Sequence, residues 1–178
     1  TSFSAGIYGC DWSIGGSTCP YTFSKNKPLS YETLLFNMKN ILVLCTGNSC
    51  RSQMAHGYIS HLGKDLNVNV YSAGIETHGV NPRAIACMAE DGIDISHHTS
   101  NMIDEYSAIS FDYVLTVCDH AKEHCPYFPT QAQRFHQNFP DPSKTIGTEE
   151  EIMAHFREVR SMIKEYCQQF VENTLIKV

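Results

Sequence analysis

The chain has 178 residues, 42% of them hydrophobic and 18% charged, which suits one ordinary globular domain and excludes a fully disordered or collagen-like chain. Thirteen basic residues against nineteen acidic ones leave a net charge of −6, the wrong sign for a nucleic-acid binder that works by bulk charge. No apolar run approaches the ~18 residues that cross a bilayer, so neither nucleic acid nor membrane is expected as a partner.

Residues 1–37 differ from the rest of the chain. They hold a Ser/Gly-rich stretch around Ser13–Ser17 and show neither helical nor strand periodicity. They read as a leader or upstream extension, poorly ordered, with a small Cys10/Cys19 clasp as the rival reading. Met38 then opens directly into an apolar run, so residues 38–178 are taken as the functional domain.

From Met38 onward, strands and helices alternate. Asn40–Leu44 reads as a strand that stops at Cys45. Met54, Ala55, Tyr58, Ile59 and Leu62 recur at helical spacing, and Gly63 ends that helix. Val68–Ser72 reads as a second strand; Asn81-Pro82 is an N-cap followed by proline at the first helical position, and Gly92 ends the helix it starts. Phe111–Val117 is a third, buried strand and Gln133–Gln137 a weaker fourth. Thr148 with Glu151 makes a capping box, after which Ile152, Phe156, Val159, Ile163, Tyr166 and Phe170 form one apolar stripe. This order predicts an α/β fold: a four-stranded parallel sheet flanked by helices on both faces.

The chemistry centres on Cys45-Thr46-Gly47-Asn48-Ser49-Cys50-Arg51-Ser52, between a buried strand and a helix, where open α/β sheets bind ligands. Five residues between Cys45 and Arg51 let the loop wrap a tetrahedral oxyanion. Gly47 is expected to permit the tight curvature, and the loop amides and the helix N-terminus to face the anion. Arg51 offers a bidentate fork, and the same donors, with the Ser52 hydroxyl, are expected to lower the pKa of Cys45. Eight cysteines in a chain without a signal peptide fit a reducing cytoplasm better than a disulfide scaffold. A zinc site could be drawn from Cys118, His120, His124 and Cys125, but no Cys-x2-Cys pair anchors it, and no metal is expected. Cys87 and Cys167 fall in helical patterns and read as core.

The segment Leu44–Ala55 resembles the active-site loop of the low-molecular-weight protein tyrosine phosphatase superfamily. Within that superfamily, Tyr71–Pro82 and the run from Val117-Cys118 to Cys125-Pro126 are similar to the thioredoxin-coupled arsenate reductases. The resemblance covers residues 38–178. It implies a phosphatase-like fold and an enzyme that converts arsenate to arsenite without a cofactor: Cys45 forms a thiol–arsenate adduct, Cys118 attacks Cys45, Cys125 attacks Cys118, and thioredoxin reduces the last disulfide. It also implies that residues 46–52 bind the oxyanion, that Asp141 of Asp141-Pro142 is the general acid, and that Asn48 fixes the loop's shape. Ser143 stands where the superfamily's phosphatases usually carry tyrosine, which argues for a small inorganic substrate. Some such reductases hold potassium near the loop with acidic side chains; His56 and Asn101 stand at those places beside Asn48 and Ser72, so potassium is not expected. Cys50 contributes to the loop, with its thiol turned away from the anion.

The protein is expected to be a monomer. Two other readings remain open here: a phosphatase using Cys45 and Asp141, and a non-catalytic thiol module that binds arsenite or zinc. One mechanical expectation comes from helix geometry. If residues 119–124 are helical, Cys118 and Cys125 start about 10.5 Å apart, beyond the roughly 7 Å between Cα atoms that a disulfide allows. The segment must then unwind, and Cys118 must swing toward Cys45.

Overall fold

The computed structural model describes residues 38–119 and 131–177. Residues 1–37, the expected helix beyond Asp119, and Cys125 lie outside these residues.

Four strands form one parallel sheet: β1 (Lys39–Cys45), β2 (Val68–Gly74), β3 (Tyr113–Thr116) and β4 (Gln133–His136), in the order β2-β1-β3-β4. β1 is flanked on both sides, which is why its sequence, KNILVLC, is almost uninterruptedly apolar. Alternation along the strand sends its side chains to two cores. Ile41, Val43 and Cys45 join the larger one, and Leu42 and Leu44 the smaller.

Three long helices, α1 (Arg51–Leu62), α2 (Pro82–Glu90) and α3 (Glu149–Phe170), contribute to the larger core. Met54, Tyr58 and Ile59 from α1 meet Phe156, Val159 and Ile163 from α3, all essentially inaccessible to solvent. The other face carries Ala73, Ile103, Phe111 and Val114, with Tyr71 edge-on to both Tyr106 and Phe111, under the short 3-10 helix Ile103–Tyr106. The caps are as the sequence implies. Asn81 accepts a hydrogen bond from the Arg83 amide, and Thr148 and Glu151 bond each other's amides reciprocally. Three glutamates in the first turn of α3 suit its positive end. Cys167 belongs to the buried stripe of α3, while Tyr166 and Ile152 sit at its edges. Burial drives the Cys167 thiol pKa far up and raises that of Cys87, so both are inert core thiols. Among the described residues, no helix is long and apolar enough to cross a membrane.

The order β2-β1-β3-β4 has a consequence for chemistry. After β1 the chain goes to one side for β2, then returns across the sheet to the other side for β3. The carboxyl ends of β1 and β3 therefore flank the crevice where such folds bind ligands. Cys45 is the last residue of β1, and Cys118 lies two residues beyond β3.

Phe156 is the largest α3 side chain wholly enclosed by the core. Phe156→Ala should cost about 3–5 kcal/mol of stability, read as a lowered urea midpoint with little change in slope.

Candidate active site

The loop from Cys45 to Arg51 is built against the segment 76–81. The amides of Glu76, His78 and Asn81 donate to the carbonyls of Thr46, Gly47 and Ser49, at 2.9, 3.2 and 3.0 Å. In a trans peptide the N–H points opposite to the C=O. The amides of Gly47, Asn48 and Cys50 therefore face away from that segment, and Gly47 N–H donates to the Cys45 sulfur. This is how the loop acquires an inward ring of donors, with the N-terminus of α1 behind it.

The sharp turn lies at a different residue from the one expected. Asn48 holds φ +44, the one positive φ at a non-glycine residue among those described, whereas Gly47 is not in the left-handed region. Asparagine tolerates this conformation better than most residues, and here it is tied on every side. Its Nδ2 donates to Ser52 Oγ, and its Oδ1 accepts from Gln53 Nε2 and from the Asn101 amide. Gly47 is needed for close approach: a Cβ there would sit 2.3 Å from the His78 ring. Gly74, at the end of β2, serves the loop in the same way, since a Cβ would lie 2.7 Å from the Thr46 carbonyl.

Arg51 is nearly buried at the start of α1. Nη1 donates to the Phe139 carbonyl at 3.0 Å and Nη2 to Asp141 Oδ2 at 2.8 Å. Its Nε is the single buried side-chain polar atom without a partner among the described residues. Asp141 also accepts from the amide and hydroxyl of Ser143. The Asp-Pro turn thus faces the loop, with its carboxylate bound to the guanidinium.

Cys118 is buried at the same spot. Its sulfur is 3.3 Å from Thr46 Oγ1 and shares a hydrogen bond with Cys45. The expected swing of Cys118 is therefore unnecessary in this state: β1–β3 pairing already brings the thiols together. The contact also overturns the expected electrostatics of Cys45. Its pKa is raised well above the ordinary thiol value, first by the hydrogen bond with Cys118 and then by burial, against the lowering influence of Arg51 and the Gly47 amide. Cys50 is turned into the core beside Ser49, and burial pushes its pKa up to about 11. Its amide serves the loop and its thiol does not.

The resulting cavity, about 790 Å3, is lined by Cys45, Cys50, Arg51, Cys118, Asp141 and the loop backbone. It also takes in Glu76, His78, Asn81, Asp119, Asn138 and Lys144, to none of which the sequence alone assigns a part in the chemistry. Spacing signals chemistry within one loop; it carries no signal for side chains delivered from four other segments.

A second cavity, about 550 Å3, lies behind the loop and is lined by His56, Ser72, Asp94, His97, His98 and Asn101 among others. Here Gln53, fully buried, donates to both oxygens of Asn48 and to the Thr99 carbonyl, and its Oε1 meets His98 Nδ1. His56 stacks on His98 and bonds Ser72 Oγ, and burial together with His98 and His97 drops its pKa to about 3. It stays a neutral imidazole. His56, Ser72, Asn101 and Asn48 offer no carboxylate to a cation, and Asn48 Oδ1 is already occupied, so these residues do not fit a potassium ion.

The profile of the low molecular weight phosphotyrosine protein phosphatase family matches residues 40–177. The chain belongs to that family. Within it, the chain is similar to proteins named arsenate reductase. One from Bacillus licheniformis is 51% identical over 135 residues, which is 75% of this chain and 96% of that protein. One from Bacillus subtilis is 48% identical over the same shares of each chain. A solved arsenate reductase in a phosphate-binding state superposes with a TM-score of 0.65 at 37% identity, covering 76% of this chain and 98% of that one. A low molecular weight protein tyrosine phosphatase from T. tengcongensis superposes equally well, at 0.65, but at 22% identity it speaks for the fold alone.

Two outcomes test this phosphatase-family site. Removing the neighbouring sulfur with Cys118→Ala should lower the pKa of Cys45 and so speed its alkylation by iodoacetamide near neutral pH, with the pH–rate curve moved to lower pH. Arg51→Lys keeps the charge but cannot hold Phe139 O and Asp141 together, so phosphate affinity should fall at least tenfold in calorimetry.

Proposed function

We propose that this chain is an arsenate reductase, an enzyme that takes arsenate to arsenite with two of its own thiols as the reductant. One observation carries the reading: a second buried thiol, Cys118, hydrogen-bonded to the loop cysteine. A phosphatase needs a single nucleophilic sulfur, whereas arsenic(V) must take up two electrons, which one thiol cannot supply. The names of relatives 47–51% identical support the same activity. A module that only sequesters arsenite or zinc is less well supported. Of the residues drawn for zinc, His120, His124 and Cys125 lie outside the described residues.

In the net reaction, one arsenic acid and two thiols give one arsenous acid, one disulfide and one water. Arsenate enters the ring of loop amides and competes with Asp141 for the Arg51 guanidinium. This gives Asp141 its part: released from Arg51, it is free to shuttle a proton to the departing oxygen. Cys45 sulfur attacks arsenic, the thiol proton ends on the leaving oxygen, and water departs. Cys118 sulfur then attacks Cys45 sulfur. The S–As bond breaks with its electron pair remaining on arsenic, now arsenic(III), the Cys118 proton ends on an arsenic oxygen, and arsenous acid leaves the Cys45–Cys118 disulfide. The 3.3 Å contact with Thr46 Oγ1 suits a hydroxyl that steadies the attacking sulfur.

Cys125, outside the described residues, would then attack Cys118 and free Cys45, and thioredoxin would reduce the 118–125 bridge. The dependence on thioredoxin, a reducing cytoplasm and a monomeric state complete the proposal. They are supported by the cysteine pattern and by the arsenate reductase names of the relatives.

The test is arsenate-dependent NADPH oxidation in the presence of thioredoxin and thioredoxin reductase, run beside an aryl phosphate assay. Wild type should oxidise NADPH with arsenate. Cys45→Ser should lose every activity, and Cys118→Ser and Cys125→Ser should lose arsenate turnover. Sustained turnover by either of the last two would sink the relay. Vigorous aryl phosphate cleavage with no arsenate reduction would make the chain a phosphatase.

A further inference from the structure

Backbone pairing continues past the end of β3 to Val117, next to the second thiol. Val117 donates to Leu44 O and accepts from the Phe139 amide, and those are the last backbone hydrogen bonds holding this chain to its neighbours before Cys118. Beyond Cys118, whose sulfur meets Thr46 Oγ1, a side chain supplies a further anchor. Asp119 Oδ1 is 3.1 Å from His136 Nε2, and Asp119 Oδ2 accepts from Asn138 Nδ2 at 2.6 Å. Both partners lie on β4 or just beyond it, and His136 is itself held at Nδ1 by Thr116 Oγ1, 2.8 Å away. Cys118 therefore sits between a backbone tether at Val117 and a two-pronged side-chain tether at Asp119.

From this arrangement we infer that Asp119 is a positioning residue for the reductase reaction: clamped by His136 and Asn138, it holds the Cys118 sulfur in line with the Cys45 sulfur for the attack that expels arsenite. The inference rests on the arsenate reductase reading of the site. A carboxylate only accepts, so His136 Nε2 carries the hydrogen in this contact. Asp119 is more than half exposed, and exposed pairs of this kind contribute little to stability. What the clamp fixes is a direction. Displacing a reacting atom by about 1 Å can cost on the order of 100-fold in rate, so a contact worth little to folding matters to a sulfur that must meet another sulfur end-on. Asp119 neither donates to the anion nor exchanges electrons, and its effect passes through Cys118.

The test uses single-turnover release of arsenite by the full reduced chain without thioredoxin, which isolates the Cys118 step, together with phosphate affinity and thermal midpoint. Asp119→Ala should slow arsenite release about tenfold or more, while phosphate binds no more weakly and the midpoint stays within a few degrees. Asp119→Asn keeps one acceptor and should fall between Ala and wild type. His136→Gln, which can still present an N–H to Asp119, should retain more of the rate than His136→Ala. The profile of the remaining rate against pH should keep its shape in Asp119→Ala, because an aligning group is lost. Arsenite release at the wild-type rate in Asp119→Ala would overturn the inference, as would a loss explained entirely by weaker phosphate binding or by unfolding. A wild-type chain that releases no arsenite would overturn the reductase reading itself, and the clamp with it.

Discussion

Parallel pairing of β1 with β3 is the constraint on which the site depends. The register sets Leu44 against Thr116, so the chain leaves both strands at the same level of the sheet. Cys45 and Cys118 emerge into one crevice although 73 positions apart. No flexible arm has to bring them together, because the sheet that buries Leu42, Val43 and Leu115 does so as it forms. The cost falls on Cys45. A sulfur neighbour and burial both hold its proton on, opposed by Arg51 and one loop amide. Acidity at the nucleophile and nearness of the second thiol are in tension here, and the fold favours nearness.

The oxyanion loop is held by a different device. An asparagine in a left-handed conformation would strain an unsupported turn by an amount on the order of 1–3 kcal/mol. Here Gln53, Ser52 and the Asn101 amide all bind its side chain. The same Gln53 reaches the Thr99 carbonyl and His98, so the loop is braced from behind by a polar network whose centre, Gln53, is fully buried. From the front, residues 76–81 occupy three of its carbonyls. A loop fixed on both sides has its donors aimed before any anion arrives, which spares the ordering cost at the moment of binding.

Much of this is legible in the sequence, for identifiable reasons. The strand–loop–helix around Cys45, the caps at Asn81 and Thr148 and the stripe of α3 are local patterns, and local patterns report local backbone. Sequence points to Gly47 for the tight turn because glycine bears a left-handed conformation most easily; Asn48 holds it instead, since its side chain bonds in three directions, and no spacing rule reveals that. The loop's own residues point to an acidic Cys45 thiol. The opposing influence comes from Cys118, on another strand, and is visible only once β1 and β3 are paired. Asp119, His136 and Asn138 are silent for the same reason: each is an ordinary polar residue until β3 and β4 lie side by side.

The central claim is that Cys118 is the thiol that attacks the Cys45 adduct, and it is tested most directly by stopping the chemistry there. In a Cys125→Ser chain, fully reduced and given arsenate without thioredoxin, the predicted result is one arsenite released per chain and a single new disulfide, mapped by peptide mass spectrometry to Cys45–Cys118. A stoichiometric disulfide joining Cys45 to any other cysteine, or arsenite released with Cys118 still free to alkylate, would contradict it.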